Sequence, residues 1–197
     1  MAHRDALRIN GGRLLERLDQ LAAIGCCEDG SCRRLALTDE DRAGRDQVVA
    51  WMRELGLEVR VDRIGNLLGL RPGREEGPPV MTGSHIDTVA TGGKYDGNYG
   101  VLAGLEIVQT LNEAGLVTRR PLAVAVFTNE EGVRFQPDML GSLVYAGGLE
   151  LAAALAIPAT DGPTLGRELE RIGYAGTLAP GAIVPRAFVE IRTIQSF

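Results

Sequence analysis

The fold is decided by residues 121–131, which read Pro-Leu-Ala-Val-Ala-Val-Phe-Thr-Asn-Glu-Glu. The first seven of these residues are almost continuously apolar, a pattern typical of a strand that is buried on both faces of a sheet. The sequence then turns polar and ends in two adjacent acids, Glu130 and Glu131. A buried strand that ends in reactive side chains is typical of α/β proteins, which bind ligands at the carboxyl ends of their strands.

Around this stretch, segments with the period of a helix alternate with segments with the period of a strand. Thr38 is expected to cap one helix, Asp161 is expected near the cap of a later one, and a Gly-rich turn is expected after the two acids. Helices are predicted over residues 11–24, 39–55, 101–111, 149–155 and 163–172, and strands over 57–61, 67–70, 80–84, 121–127 and 187–191. The alternation predicts an α/β fold, a three-layer α/β/α sandwich around a mixed sheet.

The composition is that of an ordinary globular protein, since 45% of the 197 residues are apolar and 24% are charged. A net charge of −5 without a basic patch argues against nucleic acid as a partner. No run approaches the roughly 18 apolar residues of a membrane span, and the N-terminus lacks the apolar segment of a signal peptide. We therefore expect no membrane partner and a cytoplasmic location.

Three cysteines, Cys26, Cys27 and Cys32, lie close together near the N-terminus. Their odd number argues against a disulfide framework. A structural zinc site would need a second pair of Cys or His ligands, and none follows. Free thiols in a loop are therefore the favoured interpretation.

Two polar clusters carry the candidate chemistry. The first contains His85 and Asp87 at the end of a predicted strand, followed by Asp96 in a Gly-rich loop. One of His85 and Asp87 could bind a metal while the other supports that ligand. A carboxylate that accepts a hydrogen bond from a ligating imidazole fixes the tautomer of the imidazole. The second cluster contains Glu130 and Glu131, where one acid could bind a metal and the other could act as general base.

Each cluster also has an ordinary structural explanation. A single His after a strand is more often hydrogen-bonded than metal-bound, two acids after a strand often begin a helix, and Asp-Gly is usually a turn. The residues alone leave both interpretations open, although several polar clusters that follow apolar strands in one short stretch favour a metal site.

The motifs resemble those of the hydantoinase/carbamoylase family of amidases, within the superfamily of dinuclear metallopeptidases and aminoacylases. This family includes N-carbamoyl-L-amino-acid hydrolases, allantoate amidohydrolases and β-ureidopropionases. The matching stretches are residues 63–67, 83–89, 92–97 and 129–135, together with Gly141-Ser142 and Gly147. They occur in the same order and spacing as in the family, and the resemblance covers nearly the whole chain.

The resemblance implies a role for each candidate residue. His85 corresponds to a ligand of the first metal, Asp96 to the carboxylate that bridges both metals, and Glu131 to a ligand of the second. Glu130 corresponds to the general base, and Asp87 to the residue that orients His85. Two divalent ions of Zn, Mn, Co or Ni are implied, with a small ureido or carbamoyl compound as the substrate. Hydrolysis would release ammonia and carbon dioxide, and a homodimer is expected only of the full-length family.

The sequence departs from the family near its end, where Arg192 stands at the position expected to hold a further His ligand. A guanidinium has no lone pair to offer a metal. Family members are also about twice as long, so we expect residues 1–197 to be the N-terminal part of the catalytic domain, without the lid and dimerisation domain. A non-catalytic remnant and an aminoacylase or exopeptidase of the same superfamily remain alternatives. Arg134 and Phe135 after the two acids favour the carbamoylase type over the latter.

Overall fold

The computed structural model describes residues 7–191. Within this range the chain forms six helices and five strands. The helices are α1 (Gly11–Ala22), α2 (Asp39–Glu54), α3 (Asn98–Glu113), α4 (Leu140–Tyr145), α5 (Leu151–Leu155) and α6 (Leu165–Ile172). The strands are β1 (Glu58–Val61), β2 (Leu67–Arg71), β3 (Val80–His85), β4 (Leu122–Phe127) and β5 (Ala187–Val189). Every predicted helix and strand is present, with ends that differ by a few residues.

The strands form one mixed sheet in the order β1-β2-β4-β3-β5, which confirms the predicted α/β class. β1 and β2 are an antiparallel hairpin, and β2 pairs antiparallel with β4. β3 lies parallel to both β4 and β5. The register between β3 and β4 pairs His85 with Phe127, so these two strands end at the same edge of the sheet.

The sheet buries side chains on both faces, as the continuous apolar run of β4 predicted. Val124 and Val126 belong to the main core, whereas Ala123 and Ala125 belong to a smaller cluster on the opposite face. α3 packs closely on the first face because Gly104 has no side chain. A Cβ there would lie 2.9 Å from a methyl carbon of Thr82.

The structure also differs from the prediction in two places. Thr164 rather than Asp161 caps α6, since its hydroxyl accepts a hydrogen bond from the amide of Arg167. Asp161 instead forms an ion pair with Arg134 at 2.9 Å, a long-range contact that local pattern cannot reveal. The Gly-rich stretch after the two acids contains the short helix α4, which was not predicted. Thr38 does cap α2, as expected.

Within residues 7–191, no helix combines the length and the apolar character that crossing a membrane requires. The three cysteines are free thiols in the segment after α1, as favoured from the sequence.

A buried carboxylate joins α1 to α3. The side chain of Glu106 is fully buried and accepts hydrogen bonds from Nε and Nη2 of Arg13, both at 2.8 Å, and from the amide of Asn10 at 2.8 Å. Burial raises the pKa of Glu106, but these donors outweigh it and hold the pKa below its ordinary value. Arg13 also contacts Glu113, which is largely exposed.

Replacing Glu106 by Gln is expected to lower the free energy of unfolding by about 1–3 kcal/mol, because the partly buried guanidinium of Arg13 and the main-chain amide of Asn10 lose a charged, fully buried acceptor. Glu113→Gln is the matched control, since it removes an exposed acid from the same Arg13. This variant should cause a much smaller loss. Urea unfolding of the three proteins at pH 7 measures the difference, and equal losses at both positions would contradict the assignment.

The same pair predicts a pH dependence. A group whose folded-state pKa is depressed stabilises the fold above its unfolded pKa and loses this effect as the pH falls through the folded pKa. The stability gap between wild type and Glu106→Gln should therefore be full at neutral pH and close below the ordinary Glu pKa of 4.5. Repeating the urea titrations from pH 7 to pH 3 tests the sign.

Candidate metal centre

The candidate site lies where the parallel strands β3 and β4 end side by side. His85 is the last residue of β3, and Asp87 follows two positions later. β4 ends at Phe127 and is followed by Thr128, Asn129 and the two acids. The strand pairing therefore brings both polar clusters of the sequence together, as expected for the carboxyl ends of parallel strands.

Asp87 connects the two clusters. Its buried carboxylate accepts hydrogen bonds from the main-chain amides of Glu130 and Glu131, each at 3.2 Å. Its main-chain carbonyl, 2.9 Å from Nδ1 of His85, holds the imidazole. The Asp87 carboxylate itself lies farther away, 3.9 Å from Nδ1. In the structure, one residue thus orients the imidazole through its backbone and fixes the paired acids through its side chain.

The turn after β4 removes the alternation of side chains that a strand would impose on neighbouring acids. Asn129 has a left-handed backbone with φ of 53°, and its side-chain amide donates to the carbonyl of Phe135 at 2.8 Å. The unpredicted helix α4 supports the same turn, because the amide of Met139 donates to the carbonyl of Glu130 at 2.7 Å. Both acids can therefore approach the same imidazole.

The structure brings His85, Glu130 and Glu131 into one group, with one ligand atom from each lying within 4.8 Å of the others. Nε2 of His85 lies 3.3 Å from Oε2 of Glu130. Asp96, the predicted bridging ligand, lies outside this group, although its charge acts on Glu131. The geometry thus places Glu130, predicted as a base, among the atoms that could also contact a metal.

The electrostatics of the group favour an added cation. Burial raises the pKa of Glu131 to about 7; His85 opposes this, and the charges of Asp96, Asp87 and Glu130 reinforce it. Burial lowers the pKa of His85, but the charges of Asp87 and Glu130 outweigh it and leave the pKa raised. Acids crowded in a partly buried site raise one another's pKa values unless a positive charge compensates them.

Gly97 packs flat against the imidazole of His85. It has φ of 63°, and a Cβ at this position would lie 2.5 Å from Cε1 of the ring. The predicted need for an unusual glycine conformation in the loop of Asp96 is met at this residue. Its absent side chain leaves room for the imidazole ring of His85.

Arg34 connects the segment that contains His85 and Asp87 to the loop that contains Asp96, a role that the sequence did not predict. The side chain is fully buried, and Nε donates to the carbonyl of Ile86 at 2.8 Å. Nη2 donates to Oδ1 of Asn98 at 2.8 Å, directly after Gly97. The same guanidinium also binds main-chain carbonyls at the end of α1. In the sequence it is one of two adjacent arginines in a polar loop, and nothing local distinguishes it from its exposed neighbour.

Glu130 also lines a cavity of about 780 Å³ on the second face of the sheet. The cavity walls are mainly apolar and include Phe127, Tyr145 and Phe188. A small molecule could therefore reach the group of acids from this side.

These features define an α/β domain with a candidate metal centre at the carboxyl ends of its parallel strands. Residues 81–182 match the family described as Peptidase family M20/M25/M40, and the chain belongs to this family. The expected resemblance to hydantoinase/carbamoylase amidases is confirmed by the relatives described next.

The chain is similar to three proteins over most of its length. It is 44% identical to an N-carbamoyl-L-amino-acid amidohydrolase from Rhizobium meliloti, in a match that covers 95% of this chain and 45% of that protein. It is 39% identical to a ureidoglycolate hydrolase from Arabidopsis thaliana, covering 80% of this chain and 33% of that one. A crystal structure of a hydantoinase/carbamoylase family amidase from Burkholderia ambifaria superposes with a TM-score of 0.92 at 50% identity, covering 94% and 46%. The chain therefore spans less than half the length of these relatives.

Arg192, predicted to stand where the family has a further His, lies outside the described residues, as does the other histidine of the chain, His3.

Arg34 predicts a measurable effect on stability. Arg34→Lys is expected to lower the free energy of unfolding by about 2–4 kcal/mol, because a single ammonium cannot replace a guanidinium fork that binds several buried acceptors. Arg33→Lys is the matched control, since Arg33 is exposed and makes one side-chain bond, to the carbonyl of Ala90. Thermal and urea unfolding would measure both variants, and a loss at Arg34 no larger than at Arg33 would show that the fork is dispensable.

Proposed function

We propose that the chain provides the metal centre of an amidohydrolase that cleaves a linear C–N bond of an N-carbamoyl amino acid or an allantoate-like ureido compound. The observation that carries the proposal is the group of His85, Glu130 and Glu131, joined through Asp87 at the ends of two parallel strands. Its crowded acids have the pKa pattern of a site that a cation completes.

The group of His85, Glu130 and Glu131 fits a divalent ion, and a second ion held with Asp96 is part of the proposal. Nδ1 of His85 is engaged by the carbonyl of Asp87, which leaves Nε2 for a metal, the arrangement typical of ligating imidazoles. Imidazole and carboxylate ligands suit Zn, Mn, Co or Ni. In this proposal His85, Asp96 and Glu131 hold the ions. Bound metals would polarise the scissile carbonyl and make water a better nucleophile.

Glu130 is the proposed general base. Its side chain is only about 15% exposed and lies between His85 and the apolar cavity, where a substrate would enter. The carboxylate would take the proton of the attacking water and deliver it to the leaving nitrogen. For an N-carbamoyl amino acid, addition of water gives the amino acid, ammonia and carbon dioxide.

The relatives support ureido chemistry, since two of those described act, by name, on N-carbamoyl amino acids and ureidoglycolate. The Arg134-Phe135 pair that favours this type in the sequence has a structural role here. Arg134 is buried in ion pairs with Asp161 and Glu168, and Phe135 is fully buried in the core. In this chain the pair therefore contributes to the fold. The cytoplasmic location and the homodimer of the full-length family stay predictions.

Metal binding tests the centre. After dialysis against Zn²⁺, Mn²⁺, Co²⁺ or Ni²⁺, wild type is expected to retain metal, and Glu131→Gln should bind at least about 10-fold more weakly because a charged ligand is lost. Glu150→Gln, which removes an exposed acid outside the group, is the control. Metal content by mass spectrometry and isothermal titration measures the difference. Equal affinities for Glu131→Gln and wild type would refute the assigned ligand.

Activity tests the chemistry separately. A metal-loaded protein that contains this chain and has the full length of its relatives is expected to release ammonia from N-carbamoyl-L-amino acids, allantoate or ureidoglycolate. Glu130→Gln in that protein should lower kcat by about 10²–10⁴-fold while metal stays bound. Loss of metal from Glu130→Gln would instead make Glu130 a ligand. Turnover of N-acetyl amino acids or dipeptides would favour the aminoacylase or exopeptidase alternative. A metal-loaded protein that turns over none of these compounds would favour the non-catalytic alternative.

A further inference from the structure

Cys26 and Cys32 lie opposite each other in a short antiparallel pairing after α1. Two main-chain hydrogen bonds flank the pair, one from Cys27 to Ser31 at 2.8 Å and one from Arg33 to Gly25 at 2.7 Å. Cys26 and Cys32 are therefore a non-hydrogen-bonded pair, in which Cα atoms lie about 4.5 Å apart and both side chains leave on one face. A disulfide spans Cα separations of about 4.4–6.8 Å, so the backbone needs no rearrangement to form one.

The environments of the thiols suit a stepwise exchange. Cys26 is exposed and reachable by a small oxidant, whereas Cys32 is buried. Burial raises the pKa of the Cys32 thiol, and the positive charge of Arg34, whose Nη1 lies 3.4 Å from the sulfur, opposes this only in part. Cys27 is adjacent in sequence, but side chains alternate along a paired strand, so it leaves on the opposite face from Cys26.

We propose that Cys26 and Cys32 are a modification site that forms a reversible disulfide with a low-molecular-weight disulfide, such as oxidised glutathione, as the oxidant. The thiolate of Cys26 attacks one sulfur of the small disulfide, and one small thiol leaves. The thiolate of Cys32 then attacks the sulfur of Cys26 and expels the second small thiol. The protein loses two protons and two electrons, and the small disulfide becomes two thiols.

This disulfide is coupled to the loop that carries Asp96. The main chain of Cys32 pairs with Gly92 through two hydrogen bonds, of 2.8 and 3.0 Å. The hydroxyl of Thr88 also donates to the carbonyl of Cys32 at 3.1 Å. Cross-linking Cys32 to Cys26 ties one edge of this loop to the end of α1. We therefore expect the amides of Cys32 and Gly92 to exchange hydrogen more slowly in the oxidised protein.

The test equilibrates the reduced protein with oxidised glutathione and follows intact mass, free thiols and peptide maps. Wild type is expected to lose two of its three thiols and two hydrogen atoms, and dithiothreitol should reverse both changes. Cys27→Ser is the matched control and should oxidise in the same way. Cys26→Ser and Cys32→Ser should form no internal disulfide, and the cysteine left opposite the serine should at most carry a glutathione adduct.

Several outcomes would overturn the proposal: a disulfide that includes Cys27, a wild type that keeps all three thiols, or a wild-type glutathione adduct that persists without ring closure. If Cys32→Ser fails to fold because Cys32 is buried, the exposed Cys26→Ser variant decides the result. Hydrogen exchange that is equal at Gly92 in reduced and oxidised protein would show that the disulfide forms without acting on the loop.

Discussion

The buried carboxylate of Asp87 is the interaction on which the candidate site depends. Strand pairing alone brings the ends of β3 and β4 together, but it does not fix the residues beyond those ends. Asp87 connects the two segments beyond the sheet, because its carboxylate accepts hydrogen bonds from the main-chain amides of Glu130 and Glu131. A fully buried carboxylate is costly unless its oxygens are satisfied. The same two bonds therefore stabilise Asp87 and hold Glu130 and Glu131 beside His85.

This arrangement leaves more negative than positive charge in one place. Burial and neighbouring acids raise the pKa of Asp87 and Glu131, and the raised pKa of His85 compensates only part of that charge. An ordinary ion-pair network would include a Lys or Arg, as at Arg134 with Glu168. The contrast within one molecule supports the interpretation of the group as a centre for an added cation, since perturbed pKa values cluster where function needs them.

The sequence predicted the helices and strands of the fold better than it predicted the side-chain contacts that hold them in place. The apolar run of β4 and the capping Thr38 are local signals, and both were confirmed. Arg34 and Asp161 act through partners far away in sequence, so their surroundings in the chain carry no sign of these roles. The short helix α4 was not predicted, because the glycines in and after it are more typical of a turn. Local pattern therefore identifies elements, while buried polar contacts become visible only after folding.

The supports of the candidate centre come from elements of this chain itself. Gly97 leaves space for the imidazole, and Arg34 joins the segment after His85 to the start of α3. The amide of Met139, which caps α4, donates to the carbonyl of Glu130. Each contact is made by main chain or by a fully buried side chain, and such groups have little freedom to move once the core has formed. The group is thus preorganised by the domain that carries it, so that a metal or a substrate would meet its side chains already in place.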